Sequence, residues 1–297
     1  MTLDLHEVFS TPEARSTPEA RGCKRWPKRL GMVSDEGEIV RGRCRSTNQC
    51  EYCARLAAVE AAEMLAIDAA ETGGPEIWAV LTTREAEPDP RRFYASRRKV
   101  VLGLKRRWPD VEYAALVEFT TGYGTHSAGQ RRPHWNVLLK GVPREDVETA
   151  AEIIRRVWCA REDAVPEAQH VGVIQEAQGL MRYIALHFAK PGQAPPRGWR
   201  GHRFLYSRGY FPEGGGVVRA RARESLRYKR ALWRAERVGL VGAEAQAFAR
   251  ARMAEARVGR WRLVDVGEYV LRRETREKWR EWLAQTANGT DSVRRAV

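Results

Sequence analysis

The chain has 297 residues, 43% hydrophobic and 9% aromatic, which is enough for one sizeable core or two small ones and excludes a wholly disordered protein. Its 52 Lys and Arg residues against 38 acids leave a net charge of +14, an excess that points to a polyanionic partner, nucleic acid first of all. No apolar stretch approaches the roughly 20 residues of a membrane span, and the start MTLDLHEVFS lacks the charged-then-apolar order of a signal peptide, so a cytoplasmic protein with no membrane partner is expected.

In chain order, residues 10–21 write one polar hexamer twice, STPEARSTPEAR, within a flexible N-terminal tail spanning 1–21. Residues 22–74 hold Cys23, Cys44, Cys50 and Cys53, four of the five cysteines within 31 positions, followed by an Ala-rich helical pattern that closes at the Gly pair 73–74. Cysteines stay reduced in the cytosol, so this cluster, with its C-x5-C-x2-C trio, is expected to hold a structural zinc ion in a knuckle leading into the helix. Cys159 lies among apolar residues on a later helix and reads as a small core residue.

From 75 to 190 strand and helix patterns alternate. EIWAVLTT is a buried strand, DPRRFYASRRKVVLGLKRRW a basic amphipathic helix, VEYAALVEFTTG and PHWNVLLKGV two further strands. REDVETAAEIIRRVWCARE is then a helix, QHVGVIQ a strand, and AQGLMRYIALHFAK a helix stopped by Pro191 and Gly192. The adjacent strands predict an antiparallel hairpin and an α+β class, with helices packed on one face of an antiparallel sheet. Residues 191–216 form a Pro/Gly-rich loop whose Trp199, Phe204, Tyr206, Tyr210 and Phe211 would either stack on unpaired bases or staple the loop to the core. Residues 217–297 are mostly helical by pattern and hold about twenty basic against ten acidic residues, a DNA-binding arm or a solvated face.

Three places could carry chemistry. His134 and Asn136 stand two apart on one strand and share a face, while Trp135 points the other way. Glu118 sits in the middle of the neighbouring apolar strand, where a carboxylate is costly unless paired or metal-bound. Together they make an oxygen-nitrogen-oxygen set suited to Mg²⁺ or Mn²⁺ more than Zn²⁺; alone, the His and Asn would be an ordinary hydrogen-bonded pair. Tyr183, His187 and Lys190, spaced i, i+4, i+7, share a helical face, which would equally suit a plain amphipathic helix with Tyr at its boundary.

WAVLTT (78–83), VEFTTGYGTHSAGQRRPHWNVLLKG (117–141) and YIALHFAK (183–190) follow one another in an order and spacing that resembles the HUH-superfamily rolling-circle replication initiators of plasmids and small single-stranded DNA phages. The resemblance covers about residues 22–190 and includes the cysteine knuckle ahead of the first motif. It implies metal-dependent nicking and joining of single-stranded DNA at a replication origin, with Tyr183 as nucleophile forming a 5′-phosphotyrosine. Glu118 and His134 would hold the divalent ion and Lys190 would assist with charge. Asn136 stands where the family has its second histidine, Leu186 where it often has lysine, and His187 where some members have a second tyrosine. His187 would then serve as an extra ligand or proton carrier in a one-tyrosine enzyme, and a host helicase becomes a possible partner. A relaxase or single-strand transposase would use the same chemistry, and a zinc-bearing DNA-binding regulator that does not cut is the alternative that Asn136 leaves open.

Overall fold

The computed structural model describes residues 30–33, 39–40, 50–121, 130–175, 195–196, 198–258 and 262–265, with single positions at 274, 277, 280 and 281. The chain divides into two compact units, one of residues 1–21 and 45–253, the other of residues 22–44 and 254–297.

In the smaller unit β1 (Leu30–Val33) lies between β2 (Ile39–Val40) and β8 (Arg262–Asp265), antiparallel to both. The sequence pattern had marked the C-terminal region as mostly helical, and β8 corrects that for Arg262–Asp265. Its four residues, RLVD, are too few to display a period, and it is a strand because β1 supplies its ladder partners.

The larger unit begins with α1 (Glu51–Thr72), whose Ala-rich run ends where Gly73 takes a left-handed φ of 84° and donates its N–H to the Ala69 carbonyl. Then come β3 (Ile77–Thr82), α2 (Pro90–Arg107), β4 (Glu112–Thr121), β5 (Arg131–Lys140), α3 (Val147–Glu162) and β6 (His170–Val173). Asp89 caps α2, its carboxylate accepting from the Arg91 N–H at 3.0 Å, and Pro90 occupies the first turn, where a missing N–H costs nothing. After the loop, β7 (Phe204–Tyr206), α4 (Gly215–Arg237) and α5 (Gly242–Val258) complete the unit's described elements.

The five strands form one antiparallel sheet in the order β6-β3-β5-β4-β7, so the chain is α+β with β5 at the sheet's centre. One face carries Ile77, Ala79, Leu81, Val117, Trp135, Val137 and Leu139 against Phe93, Val100 and Leu104 of α2 and Ile154 and Trp158 of α3. The other face presents Ala114, Leu116 and Leu138 to Ala61, Met64 and Leu65 of α1 and Val218 and Ala222 of α4. Helices therefore cover both faces, which corrects the expected single-faced packing. The physical reason lies in the strands: β5 runs V-L-L at 137–139 and β4 runs A-A-L-V at 114–117, continuous apolar stretches that need burial on both sides.

Candidate functional site

The hairpin register sets the site. Glu118 of β4 lies directly opposite His134 of β5, and on β5's other side Thr82 of β3 is also opposite His134. Directly opposed residues share a sheet face, so Thr82, His134 and Glu118 form a row across three adjacent strands, and Asn136 extends it along β5. Trp135 faces away, wholly buried among the α2 and α3 side chains, with Trp158 stacked at 5.7 Å between ring centres. Trp158 in turn donates its indole N–H to the Thr82 carbonyl at 2.8 Å, fixing β3 against α3. Trp135 thus anchors β5 so that its two neighbours point to the opposite face.

Glu118 is 7% exposed and Asn136 4%, so both polar groups have left bulk water, while His134 is half-buried. His134 Nε2 lies 2.7 Å from Thr120 Oγ1. In the tautomer that donates this hydrogen bond, the lone pair sits on Nδ1, the arrangement in which a second neighbour fixes the ring of a metal-ligating histidine. The Asn136 amide nitrogen is buried without a hydrogen-bond partner. A half-turn about the terminal bond places the amide oxygen there instead, a hard neutral donor facing the same way.

Arg203, from the loop after residue 191, reaches the same neighbourhood. Its backbone carbonyl accepts from the Val117 N–H at 2.7 Å and its Nε donates to the Val117 carbonyl at 3.1 Å. Burial pushes its guanidinium down to about 10, and the Glu118 carboxylate pulls the other way by favouring the charged form. Arg203 therefore supplies a buried positive charge beside Glu118. Arg132 stands on the same face as His134, two positions earlier and opposite Thr120, with its Nε buried and unpartnered. Composition gave no way to select Thr120, Arg132 and Arg203 from many similar residues; strand parity from His134 picks out the first two, and nothing local picks out the third.

A carboxylate, an imidazole and an amide on one face fit a hard divalent ion that completes its shell with water or substrate oxygens. Among the described residues no group of three His, Cys, Asp or Glu side chains comes together; here Glu118 and His134 are opposed as a pair, and Asn136 would have to be the third donor. Cys50 sits at the N-cap of α1 and Cys53 in its first turn, both buried. Cys23 and Cys44 lie outside the described residues, as do Tyr183, His187 and Lys190. Cys159 is half-buried beside the α2 and α3 core, and burial raises its thiol pKa, as befits a packing residue.

The loop aromatics serve as a staple. Trp199, Tyr210 and Phe211 are buried, Trp199 packing edge-on against Phe93 and Phe119, while Phe204 and Tyr206 lie in β7 at the sheet's edge. Four of the eight cations of α4 are paired with acids of α1. Arg219 and Arg223 pair with Glu60 of α1, Arg221 with Glu71, and Lys229 with the buried Glu63 at 2.6 Å.

No protein-family model matches the chain, and neither a curated protein nor a solved structure matches it significantly. No described helix is long and apolar enough to cross a membrane.

Proposed function

We propose that the chain is a replication initiator that nicks and rejoins single-stranded DNA through a tyrosine, as the HUH-type motif order suggests. The observation that carries this reading is the direct opposition of Glu118 and His134 with Asn136 on the same face, at the centre of an antiparallel sheet. A divalent ion, Mg²⁺ or Mn²⁺, held by these donors would polarise the scissile phosphate. The chain's own part is then as follows. The Tyr183 phenol oxygen bonds to phosphorus as the bond to the 3′-oxygen breaks, and the phenol proton ends on that 3′-oxygen, leaving a 5′-phosphotyrosine and a 3′-OH that can prime synthesis. Lys190 would steady the developing charge and His187 would carry the proton. Joining is the reverse attack by a 3′-OH. The four cysteines Cys23, Cys44, Cys50 and Cys53 would hold zinc for structure, an inference from their spacing that the metal content of the purified protein, compared with Cys50→Ser, tests.

The test is a covalent-adduct assay. Protein incubated with a randomised single-stranded oligonucleotide pool and Mn²⁺ should form an adduct stable to denaturation, absent from Tyr183→Phe. An adduct that survives this substitution would remove Tyr183 as nucleophile. A DNA-binding regulator that does not cut is the second reading, favoured by the amide of Asn136 where a charged or imidazole ligand would bind metal more strongly. Binding without an adduct under every divalent ion, together with activity gained by Asn136→His, would establish it.

A further inference from the structure

The helix α2 carries eight basic residues and no acidic one. Its apolar side, Phe93, Val100 and Leu104, is buried on the sheet face of Trp135, opposite to that of Glu118, His134 and Asn136. The solvent side holds Arg91, Arg98, Lys99 and Arg106, all exposed, with only Ala95 and Leu102 between them. At 3.6 residues per turn these six positions fall within an arc of roughly 100°, and at 1.5 Å per residue they extend over about 22 Å. Of the helix's other four cations, Arg92 pairs with Glu85 and Glu162 and Lys105 with Glu112, while Arg97 lies over the Tyr94 and Trp135 rings and Arg107 over Trp108. The four stripe cations have no ion pair among the described residues.

Such a stripe is expensive in the isolated chain. Arg91 stands in the first turn, where the helix dipole disfavours cations, and the helix itself has no acid one turn on from any stripe cation to relieve the repulsion. On α4, by contrast, four of the eight cations, Arg219, Arg221, Arg223 and Lys229, pair with Glu60, Glu71 and Glu63 of α1. A rigid row of unmatched charge calls for an external polyanion, and 22 Å of it spans roughly six base pairs at 3.4 Å each. Unpaired strands are usually held by aromatic platforms between cations, and the exposed positions here are Ala95 and Leu102.

We propose that this face of α2 binds the phosphate backbone of duplex DNA without regard to sequence, on the side of the sheet away from the Glu118–His134 row. The surface would hold double-stranded DNA beside whatever strand the other face engages. Its existence does not depend on cleavage, and its test reads binding alone.

The experiment measures fluorescence anisotropy of the full chain on a 20-base-pair duplex of scrambled sequence across a NaCl series. For R91Q/R98Q/K99Q/R106Q the slope of log affinity against log salt should shrink by up to about 3.6, at 0.9 per lost phosphate contact, with affinity at moderate salt down more than tenfold. The charge-preserving R91K/R98K/K99R/R106K should keep the parent slope. Circular dichroism should show the Gln variant folded and melting no lower than the parent, since exposed repulsion has been removed. An unchanged slope in the Gln variant, a loss shared by the charge-preserving variant, or a loss confined to single-stranded DNA would overturn the proposal. So would four-residue-dependent binding to phosphatidylserine vesicles with duplex binding untouched, which would make the stripe a lipid-headgroup surface.

Discussion

Glu118 and His134 are direct cross-strand partners on the neighbouring interior strands β4 and β5, and Thr120 fixes the histidine ring from two positions further along β4. A carboxylate and an imidazole in that register are held by main-chain ladders on both sides, so the pair keeps its geometry without help from a loop. Glu118→Ala and His134→Ala should each lower adduct formation by about two orders of magnitude or more. Salt-sensitive duplex binding, measured by anisotropy, should persist in both, because charges elsewhere supply it. Equal loss of binding and cleavage in both variants would mean that the sheet itself had failed.

Thr120→Val removes the hydroxyl 2.7 Å from His134 Nε2 while keeping the side chain's volume. Outer partners of ligating histidines typically alter metal affinity by about 10–100-fold. The Mn²⁺ concentration for half-maximal adduct should rise by such a factor, with the rate at saturating Mn²⁺ restored. A fall in the saturating rate at unchanged metal demand would instead give Thr120 a direct part in the chemistry.

Lys140 ends in a buried network, its ammonium donating to Asp68 at 2.7 Å, Thr72 Oγ1 at 2.9 Å and the Tyr210 carbonyl at 3.1 Å. Burial raises the Asp68 pKa and Lys140 opposes that rise. Lys140→Met should destabilise the larger unit by about 3 kcal/mol near neutral pH, since it leaves a buried carboxylate unpaired. The sign follows from linkage. Without Lys140 the folded-state pKa climbs further above the unfolded value, so stability is lost as pH rises from about 3.8 toward the folded pKa and is recovered on acidification. Denaturant midpoints of parent and variant across pH should therefore converge toward the acid end. A constant gap would show that lost packing dominates.

Gly201 has φ of +130°, and a Cβ there would overlap the Tyr94 ring, whose hydroxyl donates to the neighbouring His202 carbonyl. Gly201→Ala should lower stability by about 2 kcal/mol or more, because steric overlap adds to a backbone region closed to side chains. Gly198→Ala, at φ +91° with open space around the added carbon, should lose only about 1 kcal/mol. Comparable thermal midpoints for the two variants would argue against tight seating of this loop on α2.

The local chemistry of the sequence was enough to place α1, α2, α3 and the strands from β3 to β6, because Gly73, Asp89 and Pro90 mark helix ends and the apolar periods are long. The Glu118, His134 and Asn136 face was legible for a similar reason: strand parity is a local rule, and a hairpin brings the partner strand close in sequence. What escaped was decided by distant partners. β7 is three residues long and exists because Leu205 meets Ala115. Arg203 reaches Glu118 from a loop some eighty residues later, and no spacing rule forecasts that. Four of the eight cations of α4 pair with Glu60, Glu63 and Glu71 of α1, a pairing written nowhere in the α4 segment itself.

The pairing of β1 with β8 has a consequence for the order of events during synthesis. Leu30 is made before the residues of the five-stranded sheet, yet its ladder partner Asp265 is made only after them. Until then β1 has at most the two residues of β2 beside it, too little to be stable alone. Of the two sheets the three-stranded one must therefore close last, and a ribosome stalled before residue 262 would carry every strand of the five-stranded sheet while β1 still waited for β8.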